Sequence, residues 1–203
     1  RWPGPLLLFV GVFRYYKGLP HLVQAMHDVD ACLLLVGTGP LEGELRRLVA
    51  DSGLESKVIF VGPVSDEELP AYYQAADIYV LPASHRSEAL SIAMMEAMAS
   101  GLPLVSTELG TGTSYVNAGG ETGLIVPPGD PKALAAAINR LLEDKELRRS
   151  FGEAARRRAI RLFSQETVVN QVIGLYDRVY RGAFSPNVSK VVGERRDEAV
   201  ERR

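Results

Sequence analysis

Two carboxylates and a lysine have the types and places to do chemistry. Glu96 is the only charged residue between Ala89 and Thr107, in a run that is otherwise apolar or small. An ionised carboxylate in such a setting is costly unless a charge or a hydrogen-bond donor meets it. Glu88 stands eight residues earlier, preceded by Ser84-His85-Arg86-Ser87. With Ser87 as a cap and Gly101-Leu102-Pro103 as a stop, the segment between them reads as one helix. The two carboxylates would then lie roughly 12 Å apart along its axis and about 80° apart around it. Glu88 would sit beside the helix N-terminus, whose unbonded N–H groups and positive dipole attract an anion. That layout suits an extended ligand with hydroxyls at both ends and phosphate between them. Taken singly, Glu88 is an ordinary first-turn acid and Glu96 a surface charge. The neighbours Ile92, Ala93, Ala99 and Ser100 point instead to a dry face around Glu96. The third group, Lys17, is the only lysine near the end of the first apolar run.

Competing chemistries find less support. Gly37-Thr38-Gly39 follows an apolar run, but Glu42 stands where a dinucleotide fingerprint has its third glycine, and Pro40 removes an N–H that a pyrophosphate would use. The glycines therefore read as a structural turn. There is no Gly-Lys-Ser/Thr run of a P-loop and no legible Ser-His-Asp set. His21 and His27 read as helix-surface residues and His85 as a loop residue close to Glu88. Three histidines and one cysteine form no metal-ligand spacing. Cys32 lies in the apolar run 31–36, a core position, and a lone cysteine suits a reducing compartment.

The elements that must hold these residues alternate. Short apolar runs at Leu6–Val10, Cys32–Val36, 58–61, Ile78–Leu81, 104–106 and Gly123–Val126 predict strands. Between them fall segments of helical spacing, among them one opened by Pro40 and one opened by the capping box Ser65-Asp66-Glu67-Glu68. Residues 110–113 read as a Gly/Thr loop. From Asp130 onward the pattern is helical, over 131–142, 145–162 and 164–181. Strands that are apolar throughout and separated by helices predict an α/β fold: a doubly wound, parallel, six-stranded, Rossmann-like sheet covered on both faces. Ligands of such sheets bind at the carboxyl ends of the strands, where Glu88 and Lys17 converge. Length, 46% hydrophobic content and 24% charged content fit a globular chain, and the net charge of −2 gives nucleic acid no footing. No apolar run approaches the ~20 residues of a membrane span and no signal peptide is visible, which leads to the expectation of a cytoplasmic protein. The chain begins without Met, as a piece of something longer would.

Five motifs in order carry a resemblance: Gly11-Val12-Phe13-Arg14-Tyr15-Tyr16-Lys17-Gly18, Val36-Gly37-Thr38-Gly39-Pro40, Phe60-Val61-Gly62-Pro63-Val64-Ser65, Ser87-Glu88-Ala89-Leu90, and Glu121-Thr122-Gly123-Leu124-Ile125-Val126-Pro127-Pro128-Gly129-Asp130. Over residues 5–182 the chain resembles the C-terminal, nucleotide-sugar-binding domain of retaining family-4 (group 1) glycosyltransferases, half of the GT-B fold, whose signature is the Glu-x7-Glu pair Glu88/Glu96. The resemblance implies that Glu88 meets the hydroxyls of the donor sugar and Glu96 those of the ribose. It implies that N–H groups of Ala89, Leu90, Ser91 and Ile92 face sugar and diphosphate, and that Gly62, Pro63 and Val64 wrap the base. Lys17 matches the phosphate-binding lysine, which with Glu88 is the catalytic pair. No metal or other cofactor is implied; the donor is itself the nucleotide diphosphate sugar. The family usually has Arg where Val12 stands, and Arg14 is the nearest substitute.

The segment Gly110-Thr111-Gly112-Thr113-Ser114-Tyr115 is similar to enzymes that add mannose to bacterial surface polysaccharides, which leans toward GDP-mannose. The acceptor implied is a glycan or a lipid-linked sugar, held largely by an N-terminal domain. The six Arg of residues 148–161, Arg148 to Arg161, read as a solvated face or as a peripheral contact with an anionic membrane at the inner face of the cell. The donor-binding domain is set at 1–182, with 164–181 as the helix that crosses back to the N-terminal domain. The charged tail 183–203 reads as disordered or frayed. A degenerate, non-catalytic nucleotide-binding module and an NAD-binding Rossmann domain stand as the alternatives.

Overall fold

The computed structural model describes residues 4–181; the tail read at 183–203 lies outside the described residues. Six strands, β1 (Leu6–Val10), β2 (Cys32–Val36), β3 (Val58–Gly62), β4 (Ile78–Leu81), β5 (Leu104–Thr107) and β6 (Gly123–Val126), form one sheet in the order β3-β2-β1-β4-β5-β6. Every pairing is parallel, with Leu6 opposite Cys32, Leu7 opposite Ile78 and Leu104 opposite both Tyr79 and Gly123. A parallel sheet needs cover on both faces, and the strands are apolar at nearly every position for that reason. Leu7, Leu8, Phe9, Leu33, Leu35, Ile78, Tyr79 and Leu104 are fully buried.

The cover comes from the connections. Helices α1 (Leu19–Ala25) and α2 (Glu42–Asp51) follow β1 and β2; α3 (Leu69–Ala75) carries the chain from β3 to β4; α4 (Ile92–Ala99) and the short α5 (Gly112–Val116) follow β4 and β5; α6 (Pro131–Glu143) and α7 (Lys145–Phe163) close the layer architecture. α1 packs on α2 and α6, and α4 on α7. From β1 the chain winds outward through β2 and β3, and from β4 in the opposite direction through β5 and β6. The strand order thus reverses between β1 and β4, where an open α/β sheet leaves a crevice beyond its carboxyl ends.

Contacts divide the chain into two compact units, Arg1–Phe163 and Ser164–Arg203. In the second, α8 (Gln165–Tyr180) is capped by Ser164, whose hydroxyl oxygen accepts the Thr167 N–H at 3.2 Å. Val168, Val172, Leu175 and Val179 are exposed and fall in one stripe of this helix.

Several boundaries follow the sequence signals residue for residue, including β1, β2, β4 and β6. The capping box is real: the Ser65 N–H donates to Glu68 Oε2 at 3.1 Å while the Glu68 N–H donates to Ser65 Oγ at 3.3 Å. α5 lies in what reads as a loop, where two glycines and two threonines mask a single turn. The glycine after β2 is required sterically. Gly37 has φ +119°, and a Cβ there would strike the Gly11 carbonyl oxygen. Gly37→Ala is expected to lower stability by about 1–3 kcal/mol, read from the urea midpoint, whereas Gly43→Ala, in open space on α2, should leave it level or higher.

Candidate functional site

The loop that follows β4 departs from its expected form. The hydroxyl and the N–H of Ser87 both donate to His85 Nδ1, at 2.8 and 3.1 Å. Ser87 is therefore not the helix cap. That role falls to Ser91, whose Oγ accepts the Met94 N–H at 3.4 Å, and α4 starts only at Ile92. The expectation of one helix from Ser87 is corrected: Glu88, Ala89 and Leu90 precede it in irregular backbone, and the two carboxylates do not share a helix.

Glu88 turns inward instead. It is 4% exposed, and its Oε2 lies 2.7 Å from Lys17 Nζ, itself largely buried. Lys17 ends a 3-10 turn, Tyr15–Lys17, that follows β1. Gly18, at φ +68°, turns the chain from there into α1, and a Cβ at that position would strike the Pro82 carbonyl oxygen. The Ser84 N–H donates to the Tyr16 carbonyl at 2.9 Å, joining the β1 and β4 loops through the backbone as well. On its other side the Glu88 segment is held by the β5 loop. The Thr111 hydroxyl donates to the Glu88 carbonyl at 2.8 Å, and Gly112 packs against Ala89 so closely that a Cβ would come within 2.7 Å of its carbonyl oxygen. Below the pair, Tyr79 of β4 is fully buried with its hydroxyl toward the Val10 carbonyl, and burial first of all pushes that phenol above its ordinary range. Neutral Tyr79 is thus a floor, not an acid.

Glu96 is exposed, contrary to the dry face expected for it, as are Ala99, Ser100 and Ile92, the last at 69%. Ile92 and Ala99 share the solvent side of α4 with it, while Met94, Ala97 and Met98 turn into the core. Glu96 Oε2 is nevertheless held: the Tyr73 hydroxyl of α3 donates to it at 2.7 Å. Tyr73 is a residue that sequence reasoning missed. The available signal was its helical phase with Leu69 and Ala76, which turns Tyr73 inward and leaves Tyr72 less covered.

The remaining candidates scatter around the crevice. Val12 is 49% exposed after β1, and Arg14 is exposed on the same loop in extended backbone. Gly62 ends β3 at φ +86° with its carbonyl accepting the Gly37 N–H at 2.8 Å, followed by exposed Pro63 and half-buried Val64. Ser91 is buried, while Ala89 and Leu90 are exposed. Glu42, in the place of a third fingerprint glycine, accepts the Thr38 hydroxyl at 2.6 Å and two N–H groups of Arg46 at 2.8 and 3.0 Å; the Thr38 bond first, then Arg46, holds its carboxyl below the usual range. The Arg46 guanidinium lies over the Phe60 ring at 4.3 Å. Of the six arginines of α7, four have local partners, the weakest being Arg157, 3.9 Å from Glu153. Arg148 donates to the Leu141 and Leu142 carbonyls, Arg149 pairs with Glu146, and Arg158 donates to the Tyr115 and Val116 carbonyls. Arg156, Arg157 and Arg161 are exposed.

Residues 3–158 match the family model described as glycosyl transferases group 1. The chain is 40% identical over 169 residues to an O-antigen chain mannosyltransferase C of Escherichia coli, covering 83% of this chain and 45% of that protein. It is 44% identical over 162 residues to a D-rhamnosyltransferase of Pseudomonas aeruginosa, covering 79% and 42%. The chain thus spans less than half the length of these curated relatives. Among solved structures, a sucrose-phosphate synthase from Thermosynechococcus elongatus superposes with a TM-score of 0.80 at 37% identity, over 89% of this chain and 46% of that one.

Two outcomes are expected from this geometry. Removing one partner of a buried ion pair strands the other charge, so Lys17→Met should cost about 3–5 kcal/mol. The double variant with Glu88→Gln should cost clearly less than the two single losses added, which urea unfolding of the four proteins measures. Separately, Glu108 Oε1 accepts the Ser114 hydroxyl at 2.6 Å and the Gly110 N–H at 2.8 Å, in that order of effect holding its carboxyl below the usual range. The contribution of these bonds to the loop is present above the ordinary carboxylate pKa and is lost as pH falls through the depressed one. Ser114→Ala should move the Glu108 titration upward in a carboxyl-detected NMR series.

Proposed function

This chain belongs to the glycosyl transferases group 1 family, and we propose that it is the donor-binding half of a retaining glycosyltransferase. The whole enzyme would move a hexose, with mannose from GDP-mannose as the favoured case, from a nucleotide diphosphate sugar to a glycan or lipid-linked acceptor. Identity to an O-antigen chain mannosyltransferase supports mannose, and identity to a D-rhamnosyltransferase makes a D-rhamnose donor the nearest competitor. One observation carries the reading: a lysine and a carboxylate held 2.7 Å apart, mostly out of water, at the point where the strand order reverses.

In this proposal the donor exchanges partners within that pair. The diphosphate oxygens take Lys17, and Glu88 is released to accept hydroxyls of the sugar. As the glycosidic bond breaks, negative charge grows on the departing nucleoside diphosphate. A lysine fixed in a partly dry crevice stabilises that charge more than it stabilises the intact donor, which is the condition for catalysis. The transfer would need no metal. Glu96 takes the ribose, the N–H groups of Ala89, Leu90, Ser91 and Ile92 face sugar and diphosphate, Gly62, Pro63 and Val64 border the base, and Arg14 supplies a second cation. The acceptor would be held by the remainder of the longer protein, in the cytoplasm and at the inner membrane face, where Arg156, Arg157 and Arg161 would meet anionic headgroups.

A second reading, a nucleotide-binding module that has lost turnover, draws on Val12, an exposed apolar residue where a charge-assisted fork to the diphosphate would help. Calorimetric titration with GDP and UDP tests the proposal. The chain should bind at least one of them, Glu96→Ala should weaken that binding about tenfold or more, and no transfer should occur without the rest of the protein. Failure to bind either nucleotide, or binding that ignores Glu96→Ala, removes the site assignment. In the full-length protein, a working donor site predicts sugar transfer with Val12 in place, whereas the degenerate module needs Val12→Arg to show any.

A further inference from the structure

An exposed glutamate ordinarily samples several rotamers, and either oxygen can face a ligand. Glu96 is constrained differently. The phenol that holds its Oε2 belongs to Tyr73, which is 3% exposed and packs in the core beside Tyr79, the ring centroids 6.4 Å apart. The hydroxyl's other neighbour is the Ala93 carbonyl of the same helix α4, at 3.3 Å. A phenol has one proton to give, so it points at α4 whichever acceptor it uses. Burial first, then Tyr79 and the Glu96 charge, push Tyr73 above the ordinary phenol range, so the proton stays in place at working pH. Oε1 accepts no hydrogen bond among the described residues. The result is a carboxylate with one oxygen anchored to the core and the other presented outward, one turn after the exposed Ile92.

We propose that Tyr73 is a positioning residue that makes Glu96 discriminate ribose from deoxyribose in the bound nucleotide. The inference rests on the donor-binding reading above. A carboxylate oxygen held in one direction can accept from a ribose hydroxyl without first being ordered, and a ligand lacking that hydroxyl forfeits this charge-assisted bond. Without the Tyr73 hydroxyl, Glu96 keeps its charge but loses its aim.

The experiment titrates the chain with GDP, UDP and their 2′-deoxy analogues by calorimetry. Wild type should prefer the ribose form by about tenfold or more. Tyr73→Phe removes one oxygen and no packing volume of consequence. It should cut that preference at least about threefold while leaving affinity for the deoxy analogue unchanged. A role in folding alone would weaken both ligands equally, and an unchanged preference in Tyr73→Phe overturns the proposal. Glu96→Gln gives an independent check if Tyr73→Phe does not fold. With its carbonyl oxygen held by Tyr73, the glutamine presents an amide N–H2 outward, and the preference should collapse; retention of the full preference counts against anchoring. Absence of nucleotide binding in wild type is a different result, one that removes the donor reading itself.

Discussion

A positive and a negative charge buried together fix the geometry of the crevice. Neither Lys17 nor Glu88 could be left alone where they are, because an unpaired ion out of water is penalised by several kcal/mol. They come from loops after β1 and β4, strands that are neighbours in the sheet yet belong to halves of the fold that wind in opposite directions. Their contact therefore ties the two halves together at the one place where the sheet itself leaves an opening. The other contacts there serve it: the Ser84 N–H on the Tyr16 carbonyl aligns the loops, and Thr111 fixes the Glu88 backbone from the β5 side. Gly18 is there because no other residue would pass beside the Pro82 carbonyl.

The carboxylate at the far end of the site is arranged on a different principle. Glu96 stays at the surface, in contact with water, and receives its order from a neutral donor in the core. A buried pair at one end and a solvated, anchored acid at the other are two solutions to the same problem, a fixed charge that a ligand can reach.

The sheet was legible in the sequence because fully buried parallel strands are continuous apolar runs, and because β2 is followed by Gly37 and β6 begins at Gly123, glycines that the close approach of neighbouring backbones requires. The Ser65/Glu68 box was legible because both partners lie within one turn. The start of α4 was not. Ser87 and Ser91 are equally good caps by type, and the choice between them is made by His85, which takes the Ser87 hydroxyl, and by Lys17, which draws Glu88 inward from seventy-one residues away. The exposure of Glu96 was hidden for a related reason: an apolar run tells that a helix is near the core, but α7 covers only one side of α4. The partners of the α7 arginines were not legible either: four of the six meet carbonyls or neighbouring acids. Local patterns located the elements; competition among distant partners decided how the site was wired.

The mutual neutralisation of Lys17 and Glu88 also bears on how fast a ligand arrives. An ion pair 2.7 Å across looks from a Debye length away like a small dipole, and the chain as a whole carries a net charge of −2. Neither projects an attractive field toward an approaching diphosphate. In the donor-binding proposal the pair therefore contributes little steering of its own, which leaves exposed Arg14 as the cation to supply it. In that proposal the pair's attraction acts at contact, when the diphosphate takes Lys17 in place of the Glu88 carboxylate, so its effect falls on residence time more than on capture.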